Sequence, residues 1–213
     1  MDLQRARTIA AMLLQSGAVK LSPEKPFTWS SGWKAPIYCD NRVTLSFPEI
    51  RTYIKNALAS AVKQYFPQGQ VIAGVATAGI PQGTLVADLL ELPFIYVRTK
   101  PKEHGLENLI EGKVTAGANV VVIEDLISTG KSSLQVVQAI RQVGMCVSGL
   151  LAVFSYDFDI ARQHFQQEGV RFEALCTYPI LIEQAIEQNY ISQEHMATLQ
   201  QWRQSPQTWK ALE

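Results

Sequence analysis

Two adjacent acidic residues, Glu124 and Asp125, follow an apolar run and precede a short loop rich in Gly, Ser and Thr. Neighbouring carboxylates would repel a bare phosphate, so they suit groups that need acceptors, such as sugar hydroxyls or a hydrated divalent cation. The loop behind them offers hydroxyls and backbone amides, which suit a phosphate. Together the acids and the loop indicate a phosphorylated sugar. Taken alone, the acids could equally end a strand and cap a helix.

The residues on either side of this loop predict a strand and a helix. Residues 120–123 are four β-branched residues, typical of a strand buried on both faces, and residues 133–144 have apolar residues at helical spacing. The loop therefore lies between the C-terminal end of a strand and the start of a helix, where ligands bind in open α/β sheets. Its end, Gly130-Lys131-Ser132, is similar to a nucleotide-binding P-loop. That motif needs Gly where Asp125 stands, so we reject an NTPase.

A basic segment begins at Arg98, which ends another predicted strand, and continues with Lys100, Lys102 and His104. The run through Gly112 has few apolar side chains and so lacks a face for the core. Mobile segments of this kind close over anionic substrates and exclude water. Without further context, a solvated charged loop is the more usual interpretation.

Two further segments have compositions suited to a ligand. Residues 76–83, ATAGIPQG, join a predicted strand to a helix and place small residues where a backbone could approach a pyrophosphate. A tight turn selected for packing is an equally good interpretation. Residues 30–42, SSGWKAPIYCDNR, are aromatic and rich in turn formers. A planar base needs such a shelf, although aromatic side chains also pack small lobes in the ordinary way.

The bulk properties limit the class of protein. The chain has 213 residues, with 19 basic and 19 acidic side chains and a formal net charge of +0, so nucleic acid is not an expected partner. No uninterrupted apolar stretch is long enough to span a bilayer, so no membrane partner is expected. The three cysteines lack CxxC spacing and indicate reduced thiols in a cytoplasmic protein. The N-terminal IAAMLL favours an amphipathic helix over a signal core.

The pattern along the chain predicts an α/β fold. Residues 1–48 form an N-terminal helix and an accessory lobe, and residues 49–213 form the main unit. From Glu49 onward strands alternate with helices, which indicates a mostly parallel central sheet of about five strands with helices on both faces. The end of the chain is predicted to form one or two helices.

Four segments together resemble a known family. The string VVVIEDLISTGKSS, residues 120–133, resembles the 5-phosphoribosyl-1-diphosphate (PRPP) motif of type I phosphoribosyltransferases. The spacing of Arg98, Lys102 and His104-Gly105 is similar to the basic loop of the orotate phosphoribosyltransferase family. ATAG resembles its pyrophosphate loop, and SSGWKAPIYCDNR resembles its segment beside the pyrimidine. The resemblance runs from about Ala18 to Pro206, nearly the whole chain.

The resemblance implies the type I phosphoribosyltransferase fold, with residues 1–48 as a base-binding hood lobe. Lys102 and Asp125 are the implied catalytic residues, and Ser128 would also hydrogen-bond orotate. The implied PRPP-binding residues are Arg98, Lys102, His104, Glu124, Asp125, Leu126, Ile127, Ser128, Thr129, Gly130, Lys131 and Ser132. Lys34 and Tyr38 would lie beside the pyrimidine, and Thr77, Ala78 and Gly79 beside the pyrophosphate.

The resemblance also implies a reaction, namely Mg²⁺-dependent transfer of phosphoribose from PRPP to orotate in pyrimidine nucleotide biosynthesis. Mg²⁺ would be held mainly by substrate and water, with no direct protein ligand. A homodimer with shared active sites is expected, because the family's basic loop reaches the neighbouring subunit. A purine phosphoribosyltransferase and a non-catalytic PRPP-sensing regulator are the alternatives, and the RTKPKEHG loop argues against both.

Overall fold

The computed structural model describes residues 2–29, 31–99 and 109–210, which form ten strands and seven α-helices. The helices are α1 (Leu3–Gln15), α2 (Pro48–Tyr65), α3 (Gly79–Leu90), α4 (Lys131–Gln142), α5 (Asp159–Gln167), α6 (Tyr178–Glu187) and α7 (Met196–Gln204). The strands are β1 (Val19–Leu21), β2 (Phe27–Thr28), β3 (Lys34–Ala35), β4 (Ile37–Cys39), β5 (Val71–Val75), β6 (Phe94–Val97), β7 (Ile110–Glu111), β8 (Asn119–Ile127), β9 (Cys146–Ser155) and β10 (Phe172–Thr177). Short 3-10 helices span Asn41–Ser46 and Gln193–His195.

Six strands form the central sheet, in the order β10-β9-β8-β5-β6-β7. All neighbours pair in parallel except β7, which is antiparallel to β6. The predicted mostly parallel sheet is therefore confirmed, and its five expected strands are the parallel ones. The strand order reverses between β5 and β8. From β5 the chain adds β6 and β7 on one side, and then returns to add β8, β9 and β10 on the other. Ligands bind at such a topological switch point, beyond the carboxyl ends of the strands.

The central strand β8 is buried on both faces, as its run of β-branched residues predicts. Val121 and Ile123 lie in a hydrophobic cluster that includes side chains from α1, α2 and α6. Val120 and Val122 lie in a second cluster with side chains from α4 and α5. Because successive strand residues point to opposite faces, this alternation covers both faces of the sheet with helices.

The N-terminal segment forms α1 and two short antiparallel strand pairs, β1 with β4 and β2 with β3. The predicted helix over IAAMLL is confirmed, and its Ile9, Ala10 and Leu13 are fully buried. These side chains belong to the same cluster as residues of α2 and α6, so the core is continuous across residues 48 and 49. The division of the chain into lobes at that boundary stays a prediction.

Aromatic packing joins the hood strands to the C-terminal helix. The ring of Trp202, on α7, lies 5.5 Å from that of Trp29 and 5.7 Å from that of Tyr156, between ring centroids. The Trp202 indole N–H donates to the carbonyl of Lys34 at 3.1 Å, 168 residues away in the chain. Within the described ranges, the helices are too short or too polar to cross a lipid bilayer.

Candidate active site

A cavity of about 280 Å³ opens at the switch point, between the segment that follows β5 and the one that follows β8. It is lined by residues 75–78, 99, 124–126 and 128–133. Two larger cavities, of about 740 and 550 Å³, lie elsewhere on the molecule. The smaller one is the candidate active site because the acidic pair and the Gly-, Ser- and Thr-rich loop meet there. The strand order alone thus brings together two segments about 50 residues apart.

Glu124 is a buried carboxylate, with 5% of its surface exposed. Its Oε1 accepts from the backbone N–H of Asp125 at 3.0 Å, and its Oε2 accepts from the hydroxyl of Ser133 at 3.1 Å. Burial raises the pKa of Glu124 well above its ordinary value, and the neighbouring charge of Asp125 raises it further. Both acids lie within β8, which continues to Ile127, whereas the sequence pattern predicts a strand that ends at Glu124.

Asp125 is less deeply placed, and burial raises its pKa while hydrogen bonds to the carboxylate oppose that shift. Its backbone carbonyl accepts from the side-chain amide of Asn41 at 2.7 Å. Asn41 is 2% exposed and begins the 3-10 helix that follows β4. The hood is therefore tied to the acidic pair through one buried side chain.

The loop from Ser128 to Gly130 turns β8 into α4. Gly130 has a φ of 79°, in the region that favours glycine, and a Cβ atom there would lie 2.7 Å from Phe165 Cε2. Lys131 is the first residue of α4, so the unsatisfied N–H groups of its first turn adjoin the cavity. Hydroxyls, free amides and the positive end of the helix dipole together favour an anion.

The segment after β5 supplies the opposite wall. Thr77 and Ala78 line the cavity, and the peptide bond between Ala76 and Thr77 is cis. Gly79, the first residue of α3, is buried, and a Cβ atom there would lie 2.5 Å from the carbonyl oxygen of Ile123. The ATAG segment therefore agrees with both interpretations: Ala76, Thr77 and Ala78 line the cavity, and Gly79 allows α3 to pack directly on β8.

Comparison with known proteins identifies the family of this chain. A sequence model of the phosphoribosyl transferase domain matches residues 45–164. The orotate phosphoribosyltransferase of Cytophaga hutchinsonii is 50% identical over 204 residues, which covers 96% of this chain and 98% of that relative. This chain belongs to the orotate phosphoribosyltransferase family. The resemblance inferred from the motifs is thereby confirmed.

Two solved structures share the orotate phosphoribosyltransferase fold with this chain. Orotate phosphoribosyltransferase from Aeropyrum pernix superposes with a TM-score of 0.76 at 27% identity and covers 86% of this chain and 99% of that one. The Leishmania donovani UMP synthase superposes with a TM-score of 0.77 at 27% identity. That match covers 92% of this chain but 42% of the longer synthase.

The residues that the orotate phosphoribosyltransferase motifs imply for PRPP are only partly gathered in the cavity. It is lined by Glu124, Asp125, Leu126, Ser128, Thr129, Gly130, Lys131 and Ser132. Ile127 departs from this set, because its side chain is 1% exposed and packs in the core beneath α4. Its carbonyl accepts from the N–H of Tyr156 at 3.0 Å, which further commits it to the sheet.

Three other implied residues, Arg98, Lys34 and Tyr38, do not line the cavity. Arg98 follows β6, and its backbone N–H donates to the carbonyl of Leu109 at 2.8 Å; its neighbour Thr99 lines the cavity. In the hood, the Lys34 ammonium donates to the Thr28 hydroxyl at 2.8 Å. Tyr38 is 45% exposed and its ring lies 5.8 Å from that of Phe27. Lys102 and His104 lie outside the described residues.

Three contacts of the site were not predicted. Ser133 directly follows the predicted loop and was within reach of the sequence argument. Asn41 and His164 were not, because their partners lie 84 and 35 residues away in the chain. His164, on α5, places its Nδ1 2.9 Å from the carbonyl oxygen of Thr129. Nothing in the local sequence signals either contact.

Proposed function

We propose that this protein catalyses the reversible, Mg²⁺-dependent transfer of phosphoribose from PRPP to N1 of orotate, forming orotidine 5′-monophosphate and pyrophosphate. The observation that carries the proposal is the convergence of an acidic pair, a phosphate-type loop and a small-residue loop on one cavity at the switch point. This arrangement occurs in a chain that is 50% identical to an orotate phosphoribosyltransferase over nearly its full length.

The PRPP would lie with its ribose over the acids, its 5′-phosphate at the loop after β8 and its pyrophosphate at the loop after β5. Glu124 and Asp125 would accept from the ribose hydroxyls, while α4 and the hydroxyls of Ser128, Thr129 and Ser132 would hold the 5′-phosphate. Because hydroxyl donors and cations favour an ionised carboxylate, binding of Mg²⁺ and PRPP would draw the raised pKa of Glu124 down again.

The pyrophosphate and the pyrimidine would occupy the remaining walls. Thr77 and Ala78 line the cavity opposite the acids, which supports their assignment to the pyrophosphate, with Gly79 fixing the loop on β8. Ser128 would hydrogen-bond orotate as well as the phosphoribosyl group. Lys34 and Tyr38 lie in the hood, which is joined to Asp125 through Asn41, and we assign them to the pyrimidine side.

Catalysis would come from alignment and charge stabilisation. Orotate is an anionic nucleophile, so the protein has to align it with C1 of the ribose. Negative charge builds on the leaving pyrophosphate as the C1–O bond breaks, and a cation placed there stabilises the transition state more than the ground state. We assign that role chiefly to Lys102, with Arg98 and His104 contributing contacts to the same oxygens.

Magnesium fits this donor set as a substrate-bound ion. The described residues contain no group of three or more His, Cys, Asp or Glu side chains that could hold a metal on their own. The acidic pair would instead meet the ion through water and the ribose oxygens, since Mg²⁺ keeps several waters. When bound, Mg²⁺ would neutralise charge on the pyrophosphate.

We further propose a homodimer with shared active sites, in the cytoplasm. The location is supported by the cysteines: all three are unpaired, and burial raises the pKa of Cys39 and Cys176, which keeps these two as inert thiols. Sharing of sites is supported by the similarity of the basic segment that contains Lys102 to the family's basic loop, which reaches the neighbouring subunit.

The test is the fall in orotate absorbance with purified protein, PRPP and Mg²⁺. Loss of signal that requires all three components would establish the reaction. Adenine, hypoxanthine and xanthine are then added as competitors. If none of them slows the consumption of orotate, a purine phosphoribosyltransferase is excluded. Folded protein that binds PRPP without turnover of orotate would overturn the proposal in favour of another base or a regulator.

A further inference from the structure

Helix α5 supports the loop between β8 and α4 through two consecutive side chains. The Nδ1 of His164 lies 2.9 Å from the carbonyl oxygen of Thr129. The next residue, Phe165, packs against Gly130 so closely that a Cβ atom on Gly130 would lie only 2.7 Å from its ring. Phe165 is 1% exposed and packs on Phe172 with ring centroids 4.4 Å apart. The loop is thus supported at Gly130 by the buried ring of Phe165 and at Thr129 by the contact with His164.

The contact between His164 and Thr129 has a defined direction. A carbonyl oxygen only accepts hydrogen bonds, so Nδ1 of His164 carries the proton and donates it. His164 is not among the residues that line the candidate active site. It lines the neighbouring groove of about 550 Å³ between α4 and α5, together with Lys131 and Glu168. The Thr129 carbonyl is therefore turned away from the cavity towards α5.

The opposite end of the same peptide unit faces the cavity. The peptide bond between Thr129 and Gly130 is trans, so its carbonyl and its N–H point in opposite directions. Gly130 lines the cavity, and a carbonyl held on the α5 side directs the Gly130 N–H towards it. Gly130 can rotate about its φ more freely than any other residue, so this peptide needs an external contact to fix it.

We propose that His164 is a positioning residue for the phosphate loop: its Nδ1–H holds the Thr129 carbonyl and thereby aims the Gly130 N–H at the 5′-phosphate of PRPP. The inference rests on the proposed function, which assigns that phosphate to this cavity. His164 touches neither substrate nor reacting atoms in this arrangement. Its effect should appear in the binding of phosphoribosyl groups and not in the binding of the base.

The test compares two replacements of His164. His164→Phe keeps a ring of similar size and removes the donor, whereas His164→Asn places an amide N–H where Nδ1–H was. We expect His164→Phe to raise the KM for PRPP about tenfold, as loss of one oriented hydrogen bond to a charged ligand implies, with kcat and the KM for orotate within about twofold. His164→Asn should stay close to wild type in all three constants.

Calorimetric binding of ribose 5-phosphate gives a readout apart from turnover, and we expect the same weakening in His164→Phe and its rescue in His164→Asn. If circular dichroism shows that His164→Phe does not fold, His164→Gln, whose amide matches Nε2 instead, takes its place. The inference is overturned, and the proposed function is untouched, if His164→Phe and His164→Asn lose the same affinity for ribose 5-phosphate or if neither loses any. Wild-type protein that neither turns over orotate nor binds ribose 5-phosphate would overturn the proposed function and this inference with it.

Discussion

Glu124 is the residue at which stability and binding oppose each other. Because its folded pKa is raised, its carboxyl stabilises the fold below the ordinary carboxyl pKa of about 4.3, and that contribution is lost as the pH rises through the raised value. Glu124→Gln removes the charge and keeps an acceptor for Asp125 N–H. We expect its Tm at pH 7 to rise by about 2–4 °C, which is about 1 kcal/mol for a chain of this size.

The same Glu124→Gln replacement should raise the KM for PRPP about tenfold or more, because an acceptor for the ribose hydroxyls is lost. Thermal unfolding between pH 4 and 8 measures the stability effect, and the gap between variant and wild type should close at about pH 4, where both are neutral. Asp125→Asn, at the less buried acid, is the matched control and should raise Tm less. A lower Tm for Glu124→Gln at pH 7 would contradict the account of the buried charge.

Lys102 is the residue assigned to the departing pyrophosphate. Lys102→Ala should lower kcat by about a hundredfold or more while the KM for PRPP changes by only a few fold, since the cation acts on charge that develops in the transition state. Lys113→Ala, a loss of the same charge outside the basic segment, is the control. Steady-state kinetics in both substrates decide the matter, and losses of equal size in kcat and PRPP affinity would speak against the assignment.

The residues assigned to the proposed chemistry could be predicted from the sequence, but the residues that hold them in place could not. Glu124, Asp125 and Ser128 could be found because adjacent carboxylates before a Gly-rich loop form a local pattern. Asn41 and His164 make single hydrogen bonds to backbone carbonyls far away in the chain. Any polar residue has the same local appearance, so only the folded chain identifies them.

Two glycines with almost the same φ allow the stabilising effect of the contact between α5 and the phosphate loop to be measured separately from backbone strain. Gly130 and Gly117 have φ values of 79° and 77°, but a Cβ atom at Gly117 would meet nothing within 4 Å, whereas one at Gly130 would strike Phe165. Gly117→Ala should cost only the backbone strain, about 1 kcal/mol. Gly130→Ala should cost about 1–3 kcal/mol more because the loop or the ring has to move.

Chemical denaturation of both glycine variants measures the difference directly. Gly130→Ala should also raise the KM for PRPP, while Gly117→Ala, which lies away from the cavity, should leave it unchanged. Equal destabilisation of the two variants would mean that the contact with Phe165 does not hold the loop.

At the scale of elements, the long strands and helices were predictable and the short ones were not. β5, β6, β8, β9 and β10 are apolar runs bounded by turn residues, so hydrophobic pattern was sufficient. β7 has only two residues and no alternation to read. The end of β8 was placed too early because acidic residues rarely continue a strand, and here β9 pairs with it as far as Ile127.

At the scale of the whole molecule, the proposed sharing of sites between subunits predicts complementation. Chains carrying Lys102→Ala and chains carrying Asp125→Asn are each expected to be nearly inactive. If Lys102 serves the partner's cavity, random exchange into mixed dimers should restore about a quarter of wild-type activity, since half of the dimers are mixed and each has one intact site.

The complementation experiment needs proof that subunits exchange, which differently tagged chains purified in two steps provide. Mixing either inactive chain with itself is the control. Confirmed mixed dimers without recovered activity would mean that each cavity is completed by its own chain.

The aromatic contact between α7 and the hood has a practical consequence. All four tryptophans of the chain lie at its two ends: Trp29, Trp33, Trp202 and Trp209. Trp29 and Trp202 touch, Trp33 stacks on Trp29, and residues 49–195 contain none. Tryptophan emission of the unlabelled protein, excited at wavelengths that tyrosine does not absorb, therefore comes only from the hood and the C-terminal segment. If a base binds at the hood as proposed, tryptophan fluorescence should change on its binding, and it should respond little to local unfolding of the distant edge of the sheet.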